Sequence, residues 1–191
     1  MTYRIAHAGS SVSTRLATII LGSLLMTAAA KIQVPFYPVP MSMQSAVAVG
    51  LGLTLGSRLG AAAVFTYLLQ GVAGFPVFAS PHAAGISYLM GPTGGYILGF
   101  VCAAAVAGAL RDWSRGKLPR IVIATTAASL SVYGPGLFWL GAYTGYGEGL
   151  LAAGVVPFLL GDALKIVLVA CATQTSTKLL RKPGGNSSSC A

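Results

Sequence analysis

Acidic residues are nearly missing from this sequence. Its 191 residues include three, Asp112, Glu148 and Asp162, against twelve Lys and Arg. Charged residues of both signs make up only 8% of the chain, where a soluble domain carries about 25%. So few charges cannot clothe a water-facing surface. Histidine is limited to His7 and His82, and cysteine to Cys102, Cys171 and Cys190. There is no CxxC and no His/Cys cluster, so neither a metal centre nor a disulfide framework is read here. Cys102 and Cys171 lie in apolar runs, where a free Cys behaves as a small hydrophobe. No GxxxxGK[ST] occurs, so the chain has no P-loop with which to grip ATP. There is no Ser/His/Asp set and no pair of carboxylates, which leaves a hydrolase or redox enzyme without groups to work with.

What is present is apolar: hydrophobic residues reach 55% and mean hydropathy is +0.77. A membrane span needs about 20 mainly apolar residues. Six stretches are read as spans: 14–30, 44–56, 59–74, 87–110, 121–143 and 151–180. The second and third are short, and Gly56-Ser57-Arg58 reads as a turn that makes them a helical hairpin rather than one bent helix. The basic residues test this count. With the N-terminus inside, the cytoplasmic segments hold Arg4, Arg15, Arg58, Arg111, Arg115, Lys117, Arg120, Lys178, Arg181 and Lys182. The opposite side holds only Lys31, and Lys165 stays within the sixth span. This is the asymmetry of the positive-inside rule, and it accounts for the net charge of +9 without nucleic acid. Arg15, the following apolar run and Ala28-Ala29-Ala30 also resemble a signal peptide. An uncleaved helix is the preferred reading.

Small residues recur every fourth position at Ala48, Gly52, Gly56 and Gly60, and again at Gly95, Gly99, Ala103 and Ala107. Such stripes let helix backbones approach closely in lipid. They serve either packing within the chain or a contact with another membrane subunit.

Polar groups inside a membrane are costly and mark function by default. Asp162 and Lys165 are three apart in Gly161-Asp162-Ala163-Leu164-Lys165 and share one helix face. They form an opposite-charge pair directed into the bundle, where Lys can neutralise an anion and Asp can accept from N–H groups. The outer connections are unusual as well. The first, Lys31 to Pro40, holds Pro35, Phe36, Tyr37, Pro38 and Pro40 and leads through Met41-Ser42-Met43 to Gln44. Another runs from Gly74-Phe75-Pro76-Val77-Phe78 through Ser80-Pro81-His82 to Gly91-Pro92-Thr93-Gly94-Gly95-Tyr96. Such stretches at membrane depth line cavities or are buried in protein, and they read as a lid and a broken-helix wall over a small amphipathic ligand. His82 is open to three readings: a ligand contact, a pH-sensitive group or a wet loop residue.

Lys31–Gln44, Gly74–Phe78, Gly91–Tyr96 and Gly161–Lys165, in that order, closely resemble the BioY family, the biotin-specific component of energy-coupling-factor transporters. The likeness spans roughly residues 31–165. It implies an all-α membrane protein with six transmembrane helices in the bundle of that transporter component, both termini cytoplasmic, in the bacterial inner membrane. Residues 1–182 would form one domain and 183–191 a disordered tail. Biotin would be the ligand, with no cofactor, and energy would come from a separate transmembrane coupling subunit and ATPase subunits. Asp162 and Lys165 match the family's ligand-contacting pair, Lys165 for the biotin carboxylate and Asp162 for the ureido N–H groups. Gln44 would bond the ureido or hold the lid. Tyr67, Gln70, His82 and Tyr96 would line the pocket, with Pro35, Phe36, Tyr37, Pro38, Pro40, Gly94 and Gly95 as lid or wall. Family members often carry a Gly-rich stretch, sometimes with an Arg, where this chain has Ser80–Gly85, which shifts weight to Lys165 and makes Lys31 a second possible cation. The same architecture would also suit another small anionic vitamin, and a membrane assembly protein built on its Gly/Ala stripes is the reading from another class.

Overall fold

Ser11 opens the first helix by accepting, through its hydroxyl oxygen, a hydrogen bond from the Thr14 backbone N–H, which satisfies one of the unpaired donors of the first turn. The computed structural model describes residues 11–35, 37–79, 85–114 and 117–181. Helix α1 (Val12–Lys31) ends where the prolines begin. There the chain forms two short strands, β1 (Gln33–Val34) and β2 (Met41–Ser42), paired antiparallel with Gln33 opposite Ser42 and Val34 opposite Met41. This hairpin departs from the all-helical expectation. Proline cannot continue a helix because it lacks an N–H and clashes with the preceding turn, so residues 35–40 reverse the chain instead.

Helices α2 (Gln44–Leu55) and α3 (Ser57–Val72) are joined by Gly56, whose φ of +88° is reached at no steric cost by glycine. The hairpin reading holds. Gly52 and Gly60 face each other across the turn so closely that a Cβ on Gly60 would lie 2.9 Å from the Gly52 Cα.

The fourth expected span is broken in two. Helix α4 (Ile86–Leu89) and helix α5 (Gly94–Ala109) are separated at Met90–Thr93, because the residue before Pro92 is driven out of helical conformation. A short α6 (Arg111–Ser114) leads to α7 (Leu118–Thr144), which carries Pro135 in its interior. The sixth stretch is likewise divided, into α8 (Glu148–Gly154) and α9 (Val156–Arg181), with Pro157 in the first turn of α9.

Helix α5 is the axis of the bundle, packed against α7, α2 and α3. Both small-residue stripes are used there. A Cβ on Gly95 would sit 2.3 Å from the Pro135 carbonyl oxygen, and one on Gly99 2.7 Å from that of Val132. Ala103 and Ala107 are fully buried, and Gly52 meets the backbone of Ala104. Of the two roles weighed for the stripes, packing within the chain is the one observed. The gain is van der Waals contact, the main attraction left when lipid is as apolar as the helix surface.

The outside is apolar too. Leu21, Leu130, Phe138, Leu160 and Leu164 are among many large exposed side chains on α1, α7 and α9. Three stretches, Val12–Lys31, Leu118–Thr144 and Glu148–Ser176, are long and apolar enough to cross a membrane. Helices α2, α3 and α5, with 12, 16 and 16 residues, fall below the roughly 20 that a straight crossing needs. The chain is a membrane protein.

Candidate functional site

The hairpin, the first turn of α2, the N-terminal half of α5, the middle of α7 and the start of α9 converge on one cleft. It holds about 600 Å³ of empty space, counting its open mouth. Its walls are mixed. Val39, Ile97, Phe100, Val132 and Phe158 supply apolar surface, and Ser45, Thr93, Ser129 and Tyr133 supply hydroxyls beside Asp162 and Lys165. A pocket that is mostly apolar with a few convergent polar groups is the usual form of a small-molecule site.

Asp162 is six residues into α9, so it lies only about 9 Å along that helix, shallower than one unbroken span would place it. Lys165 Nζ lies 3.3 Å from Asp162 Oδ1 and 3.1 Å from the Ser45 hydroxyl. The other carboxylate oxygen, Oδ2, accepts from the Tyr133 hydroxyl at 2.5 Å. The result is a continuous row of polar groups from α2 through α9 to α7, with the carboxylate held at both oxygens. Each carboxylate oxygen has a further lone-pair direction, so Asp162 can still accept from a ligand N–H. Because Lys165 and Asp162 touch, they present one adjacent donor and acceptor. This contact makes a single ligand group that combines an acceptor with a donor a good match for the pair.

Gly161 explains why the pair is preceded by glycine. A Cβ there would be 2.0 Å from Met41 Sδ, so the missing side chain is the seat for the tip of β2 against α9. Gln44 lines the cleft and is buried. Its Oε1 accepts from the Ser42 hydroxyl at 2.9 Å, and its Nε2 donates to the Tyr67 hydroxyl oxygen at 2.6 Å. Tyr96 lines the cleft with its ring, 5.9 Å from Phe158 and 6.4 Å from Tyr133 between centroids, and its hydroxyl donates to the Gly154 carbonyl at 2.8 Å.

Asp162, Lys165, Gln44, Tyr96 and Pro40 thus come together in the cleft, while several other expected positions lie elsewhere. Tyr67 is fully buried behind Gln44 and donates onward to the Val77 carbonyl. Gln70 turns toward α1 and donates to the Ser23 hydroxyl oxygen at 3.2 Å; no residue of α3 belongs to the cleft lining. Gly94 and Gly95 are spent on close contacts with Leu89 and α7. Pro35 and Tyr37 point outward, Tyr37 at 96% exposure, and Pro38 is half-buried outside the lining. Lys31 does not reach the cleft: its ammonium donates to the Pro76 and Phe78 carbonyls. His82 and Phe36, and the tail 183–191, fall outside the described residues.

Sequence reasoning does not single out Tyr133, Ser45 or Ser129. Tyr133 carries one available signal: it is a tyrosine inside an apolar run just before Gly134-Pro135, where the proline removes one helical hydrogen bond. The serines carry none, because a lone serine in a transmembrane helix usually bonds its own backbone.

The BioY family model matches residues 4–182. The chain is 35% identical over 141 residues to the "Probable biotin transporter BioY" of Pyrococcus horikoshii, covering 74% of this chain and 82% of that one. It is 35% identical over 147 residues to the "Biotin transporter BioY" of Thermotoga maritima, covering 76% and 85%. Its fold is similar to that of the crystal structure of an S-component for biotin from an ECF-type ABC transporter, with a TM-score of 0.73 at 20% identity over 92% of this chain and 97% of that one. With the family model running nearly end to end through every element that builds the cleft, this chain belongs to the BioY family.

Proposed function

We propose that this protein captures biotin in the cleft and mediates its uptake across the membrane, as the substrate-binding component of an energy-coupling-factor transporter. The observation that carries the reading is the Asp162–Lys165 pair, held between Tyr133 and Ser45 at the polar end of an otherwise apolar cleft. A cyclic urea places an acceptor carbonyl next to donor N–H groups. The pair offers the complement, with Lys165 donating to the ureido carbonyl and Asp162 accepting from an adjacent N–H. Phe100, Val132 and Phe158 enclose the sulfur ring and aliphatic chain. The chain has no P-loop, so the energy comes from a transmembrane coupling subunit and ATPase subunits.

In the same reading α1, α2, α3, α5, α7 and α9 are six membrane spans of a bacterial inner-membrane protein, and the short ones cross where the bundle shields their ends. Both termini are cytoplasmic, which the ten basic residues on that side support. Reporter fusions at each terminus and each connection test the orientation.

The binding test is a titration of the detergent-purified protein with biotin and with biotin amide. Saturable biotin binding that Asp162→Asn abolishes supports the cleft, and unchanged binding refutes it. If Lys165 meets the ureido group, Lys165→Ala weakens biotin and its amide by the same factor. If it meets the carboxylate, the difference between the two ligands collapses in Lys165→Ala.

A further inference from the structure

Lys31 is a possible second cation for the ligand by sequence, and the structure gives it a different task. The segment that follows α3 passes beside the outer ends of α1 and α3, and four successive carbonyls in it are taken up by side chains. Lys31 Nζ donates to Pro76 at 2.9 Å and to Phe78 at 2.7 Å, Gln33 Nε2 donates to Ala79 at 3.1 Å, and the Tyr67 hydroxyl donates to Val77 at 3.4 Å. A segment outside helix and sheet has no ladder to satisfy its carbonyls, so side-chain donors take that place. The segment is also anchored through its ring: Phe78 is fully buried, stacks on Tyr88 at 4.9 Å and lies over Gly71, where any Cβ would overlap it. Ala79 and Tyr88, the residue on which Phe78 stacks, both line the cleft. Tyr67 joins the same segment to Gln44, which also lines it.

We propose that Lys31 is a positioning residue for the ligand cleft: its ammonium straps the 76–79 segment to the end of α1 and so keeps Ala79, and Tyr88 through its stacking on Phe78, in place in the cleft wall. This rests on the reading of the cleft as the biotin site. The physical reason is the strength of the bonds. Donation from a charged ammonium to two carbonyls is stronger than donation from neutral groups, and Lys31 is the charged donor among the three that hold the strap. The ring of Phe78 keeps the segment folded without it, so removal of the charge loosens the wall rather than unfolding the protein.

The test compares wild type with Lys31→Met and Lys31→Arg in the full-length chain. Amide hydrogen exchange of the ligand-free proteins comes first, because it needs no biotin. Val77, whose N–H donates to the Phe75 carbonyl at 2.8 Å, should exchange about tenfold faster in Lys31→Met, the loss of charge-assisted bonds partly replaced by water, and at nearly the wild-type rate in Lys31→Arg. Unchanged exchange overturns the strap. The dissociation rate of biotin should then rise about tenfold in Lys31→Met, equally for biotin and its amide, with recovery in Lys31→Arg. A loss confined to biotin, with the amide unaffected, means that Lys31 meets the ligand carboxylate and overturns the positioning role. No change for either ligand also overturns it. If wild type binds neither ligand, the biotin reading of the cleft fails, and the exchange measurement still decides whether Lys31 holds the segment.

Discussion

Tyr133 of α7 donates its hydroxyl hydrogen to Asp162 of α9 across the floor of the cleft, at 2.5 Å. With Lys165 on the other oxygen, this bond fixes the plane of the carboxylate and the direction of its remaining lone pairs. Tyr133→Phe removes the bond and keeps the ring. We expect biotin affinity to fall by roughly 5- to 30-fold, corresponding to about 1–2 kcal/mol for a hydrogen bond to a charged group. Equilibrium binding in detergent measures it, and affinity within twofold of wild type would show that the carboxylate needs no orienting partner.

The ion pair makes separate contributions to stability and binding. Lys165→Met leaves the Asp162 carboxylate without its cation, and Asp162→Asn leaves the ammonium without its anion. Each single variant should lose about 3 kcal/mol, because an uncompensated charge in a largely buried site is costly. The double variant should recover most of that stability, since replacing a buried pair with neutral groups is often close to neutral, yet it should bind no biotin. Thermal unfolding and ligand titration of all three variants separate the two roles.

The helix α5–α7 contact depends on missing side chains. Gly95→Ala places a methyl group 2.3 Å from both the Pro135 carbonyl oxygen and the Trp139 Cβ, so the helices must move apart. We expect a loss of about 1–3 kcal/mol. A Cβ on Gly50 would meet nothing within 4 Å, and Gly50→Ala should gain up to about 1 kcal/mol of helix propensity. Opposite shifts of the unfolding temperature in the two variants are the expected result.

Tyr67 and Gln70 are three residues apart on α3 and should respond differently. Tyr67→Phe leaves Gln44 and the Val77 carbonyl without a shared partner in a buried site, and should cost about 1–3 kcal/mol of stability along with some biotin affinity. Gln70→Leu removes a buried amide whose Oε1 is without a hydrogen-bond partner, away from the cleft. Its biotin affinity should stay within about twofold of wild type, given the small worth of the one bond to Ser23. A larger loss would place α3 in the ligand site after all.

Scarcity of charge and long apolar stretches determined that this is a helical membrane protein. In a charge-poor chain each charge has few uses, so the Asp162–Lys165 pair was legible at three-residue spacing. The Gly56 turn was legible for a related reason, since its cause is local. Tertiary structure decided the rest. Whether Tyr67, Gln70 or Tyr133 faces the ligand depends on how α3 and α7 are rotated against their neighbours, and that is set by glycine contacts such as Gly95 on Pro135. The break between α8 and α9, beside Pro157, placed Asp162 near the start of its helix. Lys31 looked from sequence like a cation free to meet an anion, but three-dimensional packing brought it against the carbonyls of a segment 45 residues away. Hydropathy and spacing act along one chain segment, whereas a hydrogen bond between distant segments exists only once the helices are packed.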